Sequence, residues 1–282
     1  MHALLAPWHH GFMQRAALEL TLISLLTGVL GCWIVFFELS YSAESLAHAL
    51  FPGLVGATLL GLPLLFGAFV GLGAAALAIT LAAAIPGLGR DSAVAIVITT
   101  LFGLGVLLAL APAAPPGIQG LLFGDPLAIT RADLATAFAL CMLALAALAM
   151  LHRALLAVGF DRGSAKALGL RPFAVELALI AVVALAILVS VQALGNLLVV
   201  AILVAPAATA RLLVRELRTM MSAAVAIAVA GSIGGLYLSY YAGLAAGASI
   251  ALVFAGGYVV VFAAGELASG PRQKMRPATI KK

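Results

Sequence analysis

The stretch Ala16-Ala17-Leu18-Glu19-Leu20-Thr21-Leu22-Ile23-Ser24-Leu25-Leu26-Thr27-Gly28-Val29-Leu30-Gly31-Cys32-Trp33-Ile34-Val35-Phe36-Phe37 contains one charged side chain, Glu19. As a helix it reaches about 33 Å at 1.5 Å per residue, enough for a hydrocarbon core of about 30 Å. Comparable apolar stretches recur to the neighbourhood of Gly265. The chain is 65% hydrophobic and 9% charged, with a mean hydropathy of +1.23. A soluble fold needs a charged share of roughly 25%, so the sequence predicts an all-α, polytopic transmembrane bundle.

The spacing predicts about nine spans, at Ala16–Phe37, Leu46–Leu60, Leu62–Ile85, Ser92–Ala111, Ala132–Leu151, Phe173–Val191, Asn196–Leu213, Met221–Tyr240 and Leu244–Phe262. Residues 1–265 read as one transmembrane domain and 266–282 as a basic tail. Gly61-Leu62-Pro63 predicts a tight corner, and Leu46–Leu60 is either a full span or a broken, re-entrant element. Gly67-x-x-x-Gly71 fits close helix packing. Placing the N-terminus outside puts Arg90, Arg153, Arg162, Lys166, Arg171, Arg211, Arg215, Arg218, Arg272, Lys274, Arg276, Lys281 and Lys282 in cytoplasmic segments, 13 of the 15 Lys and Arg. Arg15 and Arg131 fall outside. The positive-inside bias therefore predicts an N-out, C-in protein of the bacterial inner membrane, and the net charge of +5 is topology rather than a sign of nucleic-acid binding.

Little room remains for a hydrophilic domain, and no G-x-x-x-x-G-K-[ST] phosphate loop occurs. If transport needs ATP, another chain hydrolyses it. Cys32 and Cys141 both sit in apolar runs, against a disulfide framework or thiolate cluster. The sequence predicts no catalytic residues and no bound cofactor.

Polar groups single out Glu44-Ser45-Leu46-Ala47-His48-Ala49-Leu50-Phe51-Pro52-Gly53. Glu44 and His48, four apart, share one helix face, and carboxylate and imidazole are both ligands for a divalent cation. One pair supplies two donors; two copies facing across an axis supply four. The alternative is an interfacial glutamate beside a histidine bonded to another helix. Pro52 removes a backbone donor and Gly53 loosens the chain, so both are hinge candidates. Asn196 between spans six and seven, and Pro206 with Thr209 inside span seven, are further pore or hinge candidates; Thr209 is expected to compensate the carbonyl that Pro206 leaves bare. The cytoplasmic segment Phe160-Asp161-Arg162-Gly163-Ser164-Ala165-Lys166-Ala167-Leu168-Gly169-Leu170 reads as a short helix capped by Asp161 and stopped by Gly169. Ala165 and Leu168, three apart, are expected to form its small apolar contact.

With Ala47-His48-Ala49-Leu50-Phe51-Pro52-Gly53, Leu122-Phe123-Gly124-Asp125-Pro126-Leu127, Phe160-Asp161-Arg162 with Ala165-Lys166-Ala167-Leu168-Gly169-Leu170, and Leu197-Leu198-Val199-Val200-Ala201 running to Pro206-Ala207-Ala208-Thr209-Ala210, the chain resembles the permease subunits of bacterial zinc, manganese and iron ABC importers, from Arg15 to Gly257. The resemblance implies a homodimer apposed to cytoplasmic ATPases, and a periplasmic or lipid-anchored metal-binding protein. It implies a coupling helix within Phe160–Leu170, carrying Phe160, Asp161, Arg162, Ala165, Lys166, Leu168 and Gly169, and a translocation path lined by Glu44 and His48. Glu44 stands where Asp is usual, and Ala47 where Ser precedes the histidine. Zinc is favoured over manganese or iron because carboxylate and imidazole suit it. The alternatives are an ABC permease for metal chelates such as siderophores and an ion-coupled secondary carrier.

Overall fold

The computed structural model describes residues 6–83, 85, 90–112, 115, 118, 120–124 and 126–269. The opening apolar stretch forms α1 (Gly11–Phe36), the most deeply packed of the long helices. Its small residues permit this. A Cβ on Gly31 would lie 2.2 Å from the Leu203 carbonyl oxygen, so only glycine lets that neighbouring backbone come so near. Ser24 and Ser232 bond across to another neighbour at 3.0 Å.

The helices that follow are α2 (Ser40–Leu59), α3 (Leu64–Ala83), α4 (Arg90–Ala109), the four-residue α5 (Gly120–Phe123), α6 (Arg131–Phe160), the six-residue α7 (Arg162–Ala167), α8 (Pro172–Leu194), α9 (Val199–Leu213), α10 (Leu217–Ala242) and α11 (Ala246–Ser269). Among the described residues no strand occurs. Each of the nine expected spans corresponds to a helix. Seven of these are long and apolar enough to cross a membrane; α9 has 15 residues, and α2 carries the Glu44–His48 segment. The predicted corner is present, with Gly61 at φ 65° between α2 and α3. Of the predicted tail, residues 270–282 lie outside the described residues, as do Pro116, Gly117 and Asp125 of the long connection before α6.

Three boundaries differ from expectation by six residues or more: the start of α2, the end of α6, and the end of α11, which runs to Ser269 rather than Phe262. α2 begins at Ser40 rather than Leu46 and runs unbroken through Pro52, a continuous helix rather than a broken one. α6 continues nine residues beyond Leu151, past His152 and Arg153, because a helix satisfies its own backbone whether or not its side chains are apolar. Thr130 starts it with a capping box: the hydroxyl accepts from the Asp133 amide, and the Asp133 carboxylate accepts from Thr130 N–H at 3.0 Å.

α10 and α9 pack on one side of α1, with α11 covering them from outside, and α6 with α8 pack on another. α2, α3 and α4 form a three-helix layer that meets the rest mainly through α8 and α9. A cleft of about 270 Å³ opens behind the first half of α2, lined by Ser42, Leu46, Ala49, Ala75, Ile98 and Val183 among others. The first helix turns straight into α2: Glu38 takes a left-handed φ of 59°, its amide donates to the Val35 carbonyl, and Leu39 N–H donates to Ile34 at 2.8 Å.

Ring contacts assign the two ends of the bundle. Phe36 meets Phe160 at 5.8 Å between centroids, and Trp33 meets His152 at 5.4 Å. Val35 packs with Ala210 and Met220. The C-termini of α1, α6 and α9 therefore share one end, with Arg153, Arg162, Lys166, Arg171, Arg211, Arg215 and Arg218. Arg15 lies at the other, its Nε donating to the Ile129 carbonyl at 3.0 Å, beside Arg131 at the start of α6. The basic asymmetry is thus a property of the fold as well as of the sequence.

Candidate functional site

Because the turn at Glu38 is so short, α2 starts at the basic end and carries Glu44 and His48 within its first half. Glu44 Oε1 lies 4.0 Å from His48 Nε2; the side chains are 53% and 23% exposed. The expected shared face is real, and it points out of the single chain. His48 packs its ring on Phe102 of α4 at 4.5 Å, and its buried Nδ1 has no hydrogen-bond partner. Among the described residues, that nitrogen makes no bond across to another helix, contrary to the alternative reading. Phe102 was not singled out from sequence, since one phenylalanine in an apolar span carries no signal. Among the described residues no group of three or more His, Cys, Asp or Glu could hold a metal ion. One chain offers two side-chain donors here, and a cation needs more from elsewhere.

Pro52 follows His48 by four on the same stripe, and Gly56, with open space around its Cβ position, follows by four more. Gly53 is a lock rather than a loosening point: a Cβ there would lie 2.0 Å from the Gly67 carbonyl oxygen and 2.7 Å from the Gly71 amide. The expected close packing at Gly67 and Gly71 is therefore against α2. Gly105 of α4 closes on the same place, its Cβ position 2.6 Å from the Phe51 ring and 3.1 Å from Pro52 Cα.

The other pore and hinge candidates lie apart from this pair in the chain. Asn196 is fully buried between α8 and α9; its backbone N–H donates to the Leu121 carbonyl at 2.8 Å, while its side-chain amide has no partner. The residue pins the connection onto α5. Pro206 sits within a continuous α9. Thr209 donates to the Ala205 carbonyl at 2.7 Å, not to Ile202, whose carbonyl lacks the amide at Pro206. Thr209 back-bonds within its own turn and does not compensate the proline.

The segment after α6 folds largely as its residues predict. Asp161 caps α7, its Oδ1 accepting from Gly163 N–H at 2.8 Å and its Oδ2 from the Ser164 hydroxyl. These bonds, led by that from Ser164, hold its carboxyl below the usual range. Gly169 at φ 80° stops the helix: its amide donates to Lys166, and Leu170 N–H to Ala165, each at 3.0 Å. Arg171-Pro172 opens α8. Phe160 belongs to the last turn of α6 rather than to the short helix.

The expected apolar contact is corrected. Ala165 is 1% exposed and faces the protein; Leu168 is 75% exposed. The outward surface instead combines Leu168 with Phe173 of α8, 77% exposed, a residue that sequence reading assigned only to a span. Arg162 and Glu176, 2.7 Å apart, tie α7 to α8, and Lys166 and Arg171 join them around a shallow hollow.

An all-α bundle of membrane-length helices, with a short capped helix projecting at its basic end and a polar pair open on one helix, defines a multi-pass membrane protein of transporter type. Residues 9–265 match the family described as the ABC 3 transport family, and the chain belongs to that family. It is 31% identical to the manganese transport system membrane protein MntC of Listeria innocua, over 86% of this chain and 87% of the relative. It is 29% identical to the chelated iron transport system membrane protein YfeC of Yersinia pestis, over 86% and 82%. The solved structure of PsaBC from Streptococcus pneumoniae in complex with Fab superposes with a TM-score of 0.84 at 28% identity, covering 90% of this chain and 91% of that one.

Proposed function

We propose that the chain is the membrane-spanning subunit of an ATP-driven importer of divalent first-row metals, working as a homodimer. The observation that carries this is the Glu44–His48 pair: two cation ligands on a half-open helix face, with no third His, Cys, Asp or Glu side chain grouped with them among the described residues. A second copy about an axis doubles the set to two carboxylates and two imidazoles. The pair would bind transiently, since coordination by a complete, closed shell would slow release.

Partner chains supply the rest: ATPase subunits at the basic end, seated on α7 with Leu168 and Phe173, and an external metal-binding protein opposite. In this reading the basic end is cytoplasmic and the N-terminus outside. The relatives named for manganese and chelated iron move the weight from zinc to manganese or iron. The test is metal uptake by the reconstituted complex with its ATPase and receptor. His48→Ala, normalised to assembled complex, is expected to lower uptake by about 10–100-fold, the usual cost of losing a metal-tuning group. Near-normal uptake of manganese, iron and zinc would overturn the role of the pair. Uptake of a metal chelate with none of the free ion would favour the chelate permease.

A further inference from the structure

We infer that the backbone carbonyl of His48, released by Pro52, is an oxygen donor on the cation path, and that Pro52 thereby biases the passage towards manganese and iron over zinc. The inference rests on the proposed role of Glu44 and His48 and adds a third donor to it.

In a helix the carbonyl of one residue accepts from the amide four positions later. For His48 that position is Pro52, which has no N–H, so the helical bond cannot form. Glu44, His48 and Pro52 occupy one stripe at intervals of four, and the carbonyl of His48 points along the helix towards Pro52. A cation passing along that stripe meets the carboxylate and, about 6 Å of rise further on, the imidazole of His48, with the bare carbonyl of that same residue on its Pro52 side.

The carbonyl is held in place. Gly53 is clamped on the backbone of Gly67 and Gly71, Gly105 packs on Phe51 and Pro52 from the other side, and the His48 ring rests on Phe102. Helix α2 is continuous through the proline and cannot swing that oxygen elsewhere without breaking these contacts. A bare carbonyl in a low-dielectric wall is costly until something positive meets it. Carbonyl oxygens are hard donors suited to manganese, whereas zinc is well served by imidazole and carboxylate alone.

The test restores the amide. Pro52→Ala and Pro52→Gly both return an N–H to the His48 carbonyl, and Gly keeps the chain pliable where Ala stiffens it. Uptake of manganese, iron and zinc is measured singly in the reconstituted complex, per assembled transporter. In both variants the manganese-to-zinc uptake ratio is expected to fall ~10-fold or more. An unchanged ratio, whether the rates hold or fall together, overturns the inference. Should neither variant assemble, the wild-type complex decides: isotopic labelling at the histidine carbonyl carbons should give a hyperfine coupling to bound Mn2+ in electron–nuclear double resonance. Bound Mn2+ without that coupling, or no Mn2+ bound, overturns it. The two readings fail separately, because His48→Ala tests the pair and the ratio in the Pro52 variants tests the carbonyl.

Discussion

Glu44 and His48 are separated by one helical turn, and the proposed role asks Glu44 to act as an anion. Glu44→Asp keeps the charge and shortens the reach; Glu44→Gln keeps the shape and removes the charge. Uptake by the Asp variant is expected to stay within about 10-fold of the parent, and the Gln variant to fall further, by up to about 100-fold. Equal rates for the two would mean that the carboxylate acts through packing. Glu38 offers a different kind of test. It holds a left-handed conformation in which a Cβ costs roughly 1–2 kcal/mol. Glu38→Gly removes that cost but adds chain entropy, so thermal unfolding of the purified protein should register a gain of about 0.5–1 kcal/mol. The pair itself was legible in the sequence because i to i+4 spacing needs only a helix. Phe102 was not, because its role depends on α4 lying against α2. Nor was the clamp at Gly53, whose meaning comes from the carbonyl of Gly67.

At the scale of elements, α7 divides what local chemistry decides from what packing decides. Asp161 and Gly169 were readable because a cap and a stop are bonds between near neighbours in the chain. The outward face was not readable. Six helical residues end at a left-handed glycine, so Ala165 turns inward onto the bundle while Leu168, at the cap, projects away. Two substitutions should therefore separate folding from docking. Ala165→Asp buries an unpaired charge and is expected to cost roughly 3 kcal/mol or more, visible as lower thermal stability of the permease alone. Leu168→Asp should leave that stability within about 0.5 kcal/mol yet weaken capture of the ATPase in a pull-down from detergent. The boundary errors share one cause. Apolarity alone marks a span and so leaves out Ser40–Ser45 of α2 and His152–Phe160 of α6, although polar side chains at the interface leave the backbone ladder intact.

At the scale of the whole molecule, the end of the bundle that gathers Arg153, Arg162, Lys166, Arg171, Arg211, Arg215 and Arg218 also carries α7. With Ser164→Cys in a background lacking Cys32 and Cys141, a membrane-impermeant thiol reagent should leave intact cells unlabelled and label inverted vesicles. Labelling of intact cells would reverse the orientation. The helix count and alternating direction came from the sequence because each span is an autonomous unit in lipid. The grouping of α2, α3 and α4 into a separate layer did not, since it is written in glycine-to-backbone approaches between distant positions.

The cleft behind α2 has a volumetric consequence. The second half of that helix is bolted to α3 at Gly53, whereas the half bearing Glu44 and His48 is backed by about 270 Å³ of apolar space. A transport step that presses this half inward would close loosely packed apolar space, so its activation is expected to carry a negative volume change, and hydrostatic pressure to speed it while slowing the return. Steady-state uptake by reconstituted vesicles, followed under moderate pressure, should then respond with a sign that identifies which half-cycle limits turnover. Ala75→Phe, which fills the space from α3, should flatten that response.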